Sequence, residues 1–205
     1  MKGLLQKDLY MTWKYGRTLL IMAVLFLLFG TLSKEDNFFF VVYPVLFAGV
    51  LPTTLLSYDE RFGWMRTCGT LPLSRKTMVS ERYVMTLLSF LALYVLTLLA
   101  QAVKLFPRGE VGAVLELGAM LPFFGLLSPS VMLPVTFRWG MEKARIVYYF
   151  IIGMVCALGV IVLPRMESLD AEIGRSASLG ILLVAVLLFG LSWLLSIRLY
   201  EKKEL

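Results

Sequence analysis

The chain has 205 residues, 59% of them hydrophobic, with a net charge of +6 and no histidine; its mean hydropathy is +0.81. Soluble domains use roughly 45–50% apolar residues, so this excess has to face lipid, and a soluble enzyme or binding module is excluded. The basic residues flank apolar runs instead of forming a soluble basic module, which argues for anionic lipid and against nucleic acid as the partner.

Residues 1–16 (MKGLLQKDLYMTWKYG) are not a span. Leu5, Leu9 and Trp13 recur every four residues and share one helical face, with Lys2, Lys7, Asp8 and Lys14 on much of the remainder. The pattern predicts a helix lying in the membrane interface, or else an extension of the first span. No cleavable signal peptide is expected, because no small-residue cleavage motif follows the first apolar run.

Six apolar runs follow, at about 17–33, 38–58, 83–106, 111–137, 146–164 and 178–198. They predict an all-α polytopic membrane protein with six transmembrane helices in one domain over 1–205. The first run is short for a crossing, although Arg17 and Lys34 can snorkel outward. Pro44 and Pro52 interrupt the second, and Pro122, Pro129 and Pro134 the fourth, so freed carbonyls there need local partners. The third helix is expected to begin ahead of its apolar run, because Ser74 is a good N-cap and residues 75–82 can form turns outside the membrane. In the fifth run Gly153 and Ala157 have the four-residue spacing of close helix packing.

Between the second and third runs lies the longest charged break, 59–82, with five basic and three acidic residues. Six spans put both termini on one side, and that side then carries 15 Lys and Arg against 5 on the other. The positive-inside bias places the termini and this island in the cytoplasm.

The missing histidine removes the commonest metal ligand and general base. Cys68 and Cys156 fall at different depths, so neither a disulfide nor a metal site is expected. No G-x-x-x-x-G-K-[ST], H-E-x-x-H, G-x-S-x-G or C-x-x-C pattern occurs, so this chain holds no nucleotide through a P-loop. Glu116 is the one clearly intramembrane acid; it either snorkels outward or serves a substrate route. Ser128 and Ser130 lie in the proline-rich fourth run, which is either a pathway-lining broken helix or a kinked, well-packed one. In the island Phe62, Trp64 and Met65 are large apolar groups among Asp59, Glu60, Arg61 and Arg66, the composition of an aromatic anchor inside a polar rim. They dock on a protein partner or dip into the lipid interface.

Three stretches, YPVLFAGVLPTTLLSYDE (43–60) with the following Trp64, LPLSRKTMVSERY (71–83) and KGLLQKDLYMTWK (2–14), resemble permease subunits of type-2 ABC exporters, particularly the small Gram-positive permeases. That resemblance implies that 1–16 is an elbow helix and that 59–82 contains a coupling helix on a separate ATP-binding subunit. Asp59, Glu60, Arg61, Phe62, Trp64, Met65 and Arg66 would then form the docking piece. It also implies two permeases, identical or sister chains, above two ATP-binding subunits that hold ATP and Mg, and no cofactor in this chain. Relatives export amphipathic or antimicrobial peptides, including phenol-soluble modulins; the short loop 164–178 departs from members with a large extracellular domain. The resemblance therefore predicts a multi-pass permease in a bacterial plasma membrane, moving amphipathic peptides or other amphiphiles outward. The alternatives are a scaffold or sensor that holds a cytoplasmic regulator, and a lipid-modifying membrane enzyme, which the scattered acids disfavour.

Overall fold

The computed structural model describes residues 2–33, 38–64, 74–109, 111–147, 149–150, 153 and 171–201. Among these the chain is helical: α1 (Lys2–Tyr15), α2 (Arg17–Leu32), α3 (Phe38–Arg61), α4 (Arg75–Leu105), a 3₁₀ turn (Phe106–Arg108), α5 (Val111–Trp139) and α6 (Ala171–Glu201). Residues 141–147 are helical as well. Among the described residues four helices are long and apolar enough to cross a membrane: α3, α4, α5 and α6. The bent pair α1–α2 makes up to five. The predicted fifth span, 146–164, falls largely outside the described residues, as do Cys68, Cys156 and Ala157. Among the described residues a Cβ on Gly153 would meet nothing within 4 Å.

α2, α3, α4, α5 and α6 form a bundle with two recognisable ends. The near end gathers α1, the start of α4 and the ends of α3, α5 and α6; there Arg75 Nη1 donates to the Glu201 carbonyl at 3.0 Å. At the far end Lys104 Nζ donates to the Gly30 carbonyl at 3.0 Å. α4 starts where local chemistry predicts: Ser74 is extended and its hydroxyl accepts from the Thr77 N–H at 3.2 Å. Its 31 residues span about 46 Å, well beyond a hydrocarbon core of about 30 Å. α1 meets α2 at a 66° bend centred on Gly16, where a Cβ would lie 2.7 Å from both the Thr12 carbonyl oxygen and Leu51 Cδ2.

The core runs along α3, α4, α5 and α6 through Val45, Leu56, Tyr83, Phe90, Leu121, Leu133 and Phe189, all buried. The three prolines of α5 leave the carbonyls four residues upstream without helical donors. Two of them accept a hydroxyl from a neighbouring helix, and the third lies against a neighbouring backbone. Tyr94 of α4 donates its hydroxyl to the Gly118 carbonyl at 2.8 Å, opposite Pro122. Ser192 of α6 donates to the Ser130 carbonyl at 2.6 Å, opposite Pro134. The Gly125 carbonyl, opposite Pro129, meets Gly49 of α3, where a Cβ would sit only 2.5 Å from that oxygen. Gly49 therefore lets α3 and α5 touch backbone to backbone. Tyr83 of α4 completes the seam by sharing its hydroxyl with Ser192 and Ser196, each at 2.7 Å.

Candidate functional site

Polar residues within apolar helices are costly unless partnered, and the near end concentrates them. Asp8 (α1), Asp59 (α3), Glu81 and Arg82 (both α4) are buried. The Arg82 guanidinium bridges two helices, donating through Nη1 to Asp8 Oδ2 and through Nη2 to Asp59 Oδ2. Lys7 Nζ closes the ring at 3.0 Å from both Asp59 oxygens and 3.2 Å from Asp8 Oδ1. Glu81 Oε2 lies 3.5 Å from Arg82 Nε. Three carboxyl groups thus share two cations. A guanidinium suits this place because its planar fork serves two carboxylates at once.

The ring ties α1, α3 and α4 into one junction, and Glu60, Arg61, Phe62 and Trp64 follow Asp59 out of it. Asp59 does not face outward as an interface-rim residue would; it is inside the ring. Glu60 turns the other way, its Oε2 accepting from the Met141 N–H at 2.9 Å. It thereby caps helical residues 141–147 directly after Gly140, whose φ of +85° suits glycine. Arg61 is exposed. Phe62 is 67% exposed and continues an aromatic ladder in which Tyr15 stacks on Tyr58 at 4.5 Å and Tyr58 on Phe62 at 6.5 Å. Trp64 is partly buried, with Lys7 Nζ 4.4 Å from its ring centroid. Met65 and Arg66 lie outside the described residues.

Beside this tip is a polar hollow of about 490 Å³ lined by Ser57, Tyr58, Glu60, Arg61, Met141, Glu142 and Arg145. The geometry offers an exposed aromatic tip on three braced helices.

α1 turns Lys7 and Asp8 inward. Asp8 is fully buried, whereas Leu9, Tyr10 and Trp13 are exposed, Trp13 at 76%. Lys7 and Asp8 of the predicted polar face are therefore spent on the ring, while Lys14 is exposed.

Two of the route candidates on α5, Ser128 and Ser130, have different neighbours. Ser128 is buried near Gly49 of α3, its hydroxyl without a hydrogen-bond partner among the described residues. Ser130 is also buried, and its hydroxyl donates to the Leu126 carbonyl at 2.5 Å. Glu116 lies on the second turn of α5, its side chain outside the described set. Lys7, Asp8 and Arg82, which hold the junction, carried no functional assignment from the sequence; their partners lie 52 and 74 residues away. The usable signal was Arg82 itself, an arginine placed where α4 turns apolar.

A family model described as ABC-2 family transporter protein matches residues 3–201, nearly the whole chain. The chain belongs to the ABC-2 transporter permease family. It is accordingly a multi-pass membrane permease subunit of an ABC transporter, a transport subunit and not a catalytic one. An ABC-2 permease works with an ATP-binding partner subunit. No curated protein and no solved structure matches the chain.

Proposed function

We propose that this permease is the membrane half of an exporter of amphipathic peptides or similar amphiphiles, and that residues 59–66 dock its ATP-binding subunit. The observation that carries the reading is Phe62. It is a large aromatic side chain held outward at the end of a helix whose preceding turn is pinned by Asp59 and Glu60. Exposed aromatic anchors of this kind dominate interface energetics, and a push on Phe62 would reach α1 and α4 through the Arg82 ring. Two permeases, identical or sister chains, would pair above two ATP-binding subunits. The near end would face the cytoplasm of a bacterium, in keeping with its excess of basic residues. Along α5, Ser128 is the best-suited route candidate, because its buried hydroxyl is unspent; Glu116 and Ser130 complete the set.

The test is reconstitution of the permease with its ATP-binding subunit in liposomes. The expected result is a stable complex whose ATP hydrolysis rises when an amphipathic peptide is supplied. A permease that retains no ATP-binding subunit contradicts the docking reading, and a complex indifferent to amphiphiles contradicts the cargo reading.

A further inference from the structure

We propose that the groove between α5 and α6 is a binding site for an anionic phospholipid, with an acyl chain along the groove and the phosphate held by Arg198 and Arg138. The groove has a volume of about 490 Å³, within the range of about 300–1,000 Å³ common for small-molecule sites. Leu127, Val131 and Pro134 line it from α5, and Leu191, Leu194 and Leu195 from α6. Leu191, Leu194 and Leu195 are exposed, so the groove opens sideways toward hydrocarbon instead of toward an aqueous end.

Its floor takes an acyl chain and not a polar ligand. The two serines that reach it have spent their hydrogen bonds inside the protein: the Ser130 hydroxyl on the Leu126 carbonyl, the Ser192 hydroxyl on the Ser130 carbonyl and on Tyr83. Polarity enters only at the near end, where Arg198 lines the mouth.

Helical spacing places a second arginine on the same side. Arg138 follows Pro134 by four residues, as Arg198 follows Leu194, and positions four apart share a helical face. The Arg138 guanidinium lies 5.8 Å from the ring centroid of Trp139, which is exposed; tryptophan marks the headgroup level of a bilayer. An apolar channel ending in Arg198, with Arg138 one helical turn beyond Pro134 and beside an exposed tryptophan, matches a phospholipid tail and its phosphate, and basic pockets between membrane helices take anionic headgroups. Charge separates this ligand from a zwitterionic lipid, whose phosphate is offset by its own cation. The proposal requires only that α5 and α6 cross a membrane, so it stands apart from the cargo assignment.

The experiment uses the full chain in lipid nanodiscs with phosphatidylglycerol or phosphatidylcholine carrying a diazirine in one acyl chain, and maps the photolabelled peptides. Phosphatidylglycerol should label 127–134 and 188–195 in preference to phosphatidylcholine. Arg198→Gln should lower that preference about fivefold, the worth of one basic residue near a membrane surface. Adding Arg138→Gln should abolish it, while Arg198→Lys retains most of it. Leu191→Trp, which fills the groove, should reduce labelling by both lipids. Equal labelling by the two lipids in the unaltered chain overturns the proposal, and so does a preference that survives the double arginine variant. Labelling that avoids both segments also overturns it, because a second copy or another part of this chain then fills the groove.

Discussion

The near end and the middle of the bundle solve the same problem, polar groups away from water, by different means. At the near end charged groups are buried: Asp8 and Asp59 share Arg82 and the half-buried Lys7, with the Glu81 carboxyl beside Arg82. In the middle the polar groups are neutral and small: two proline-freed carbonyls accept a tyrosine or serine hydroxyl, and a third lies close against Gly49. Neutral bonds in membranes are individually weak, and helices can exchange them at little cost. A buried charge ring has no cheap alternative arrangement, because losing one partner strands the rest. The near end is thus built to move as one piece, and the middle to tolerate sliding.

That contrast can be broken most severely at Arg82. Arg82→Gln removes the bridge between Asp8 and Asp59 and should cost about 3–5 kcal/mol, read as a lowered denaturant midpoint of the purified permease in detergent. Arg82→Lys should recover only part of this, since one ammonium cannot serve both carboxylates with a fork. If both variants match the unaltered chain, the near end is not held by charge.

Gly49→Ala probes the middle. Its new Cβ would meet the Gly125 carbonyl at 2.5 Å, with Pro129 Cδ at 3.2 Å, so α3 and α5 must part; overpacking of this kind costs about 1–3 kcal/mol. Tyr83→Phe removes a hydroxyl shared with Ser192 and Ser196 but leaves the ring stacked on Trp193. It should cost about 0.6 kcal/mol, the average for such bonds in membranes. At the bottom of the scale, Lys76→Ala removes an exposed pair with Glu201 at 3.5 Å. It should change stability by less than about 1 kcal/mol. A loss at Lys76 as large as at Arg82 would erase the distinction between buried and surface charge.

How much of this could be read from the sequence depends on distance along the chain. The Ser74 cap was legible because donor and acceptor are three residues apart, and the need for partners at the α5 prolines was legible because proline lacks an N–H. Which residues would answer was not: Tyr94 and Ser192 lie 24 and 62 residues from the carbonyls they serve. Charge in the island was read as surface, the usual place for it. Asp59 departs from that because Arg82 returns on the next helix and Asp8 arrives from α1. The sideways turn of Glu60 was hidden too, since it caps a helix that begins 81 residues later. Phe62 and Trp64 were legible as misplaced apolar groups in a charged stretch, and that signal needs no tertiary information.

The most direct test of the account is the affinity of the purified permease for its ATP-binding subunit when Phe62 is replaced by alanine. Phe62 is exposed and outside the ring, so Phe62→Ala should leave the denaturant midpoint unchanged. It should weaken binding by about 2 kcal/mol, roughly 30-fold in Kd, as loss of an aromatic hot spot does. An unchanged Kd in a folded Phe62→Ala permease would contradict docking at the end of α3.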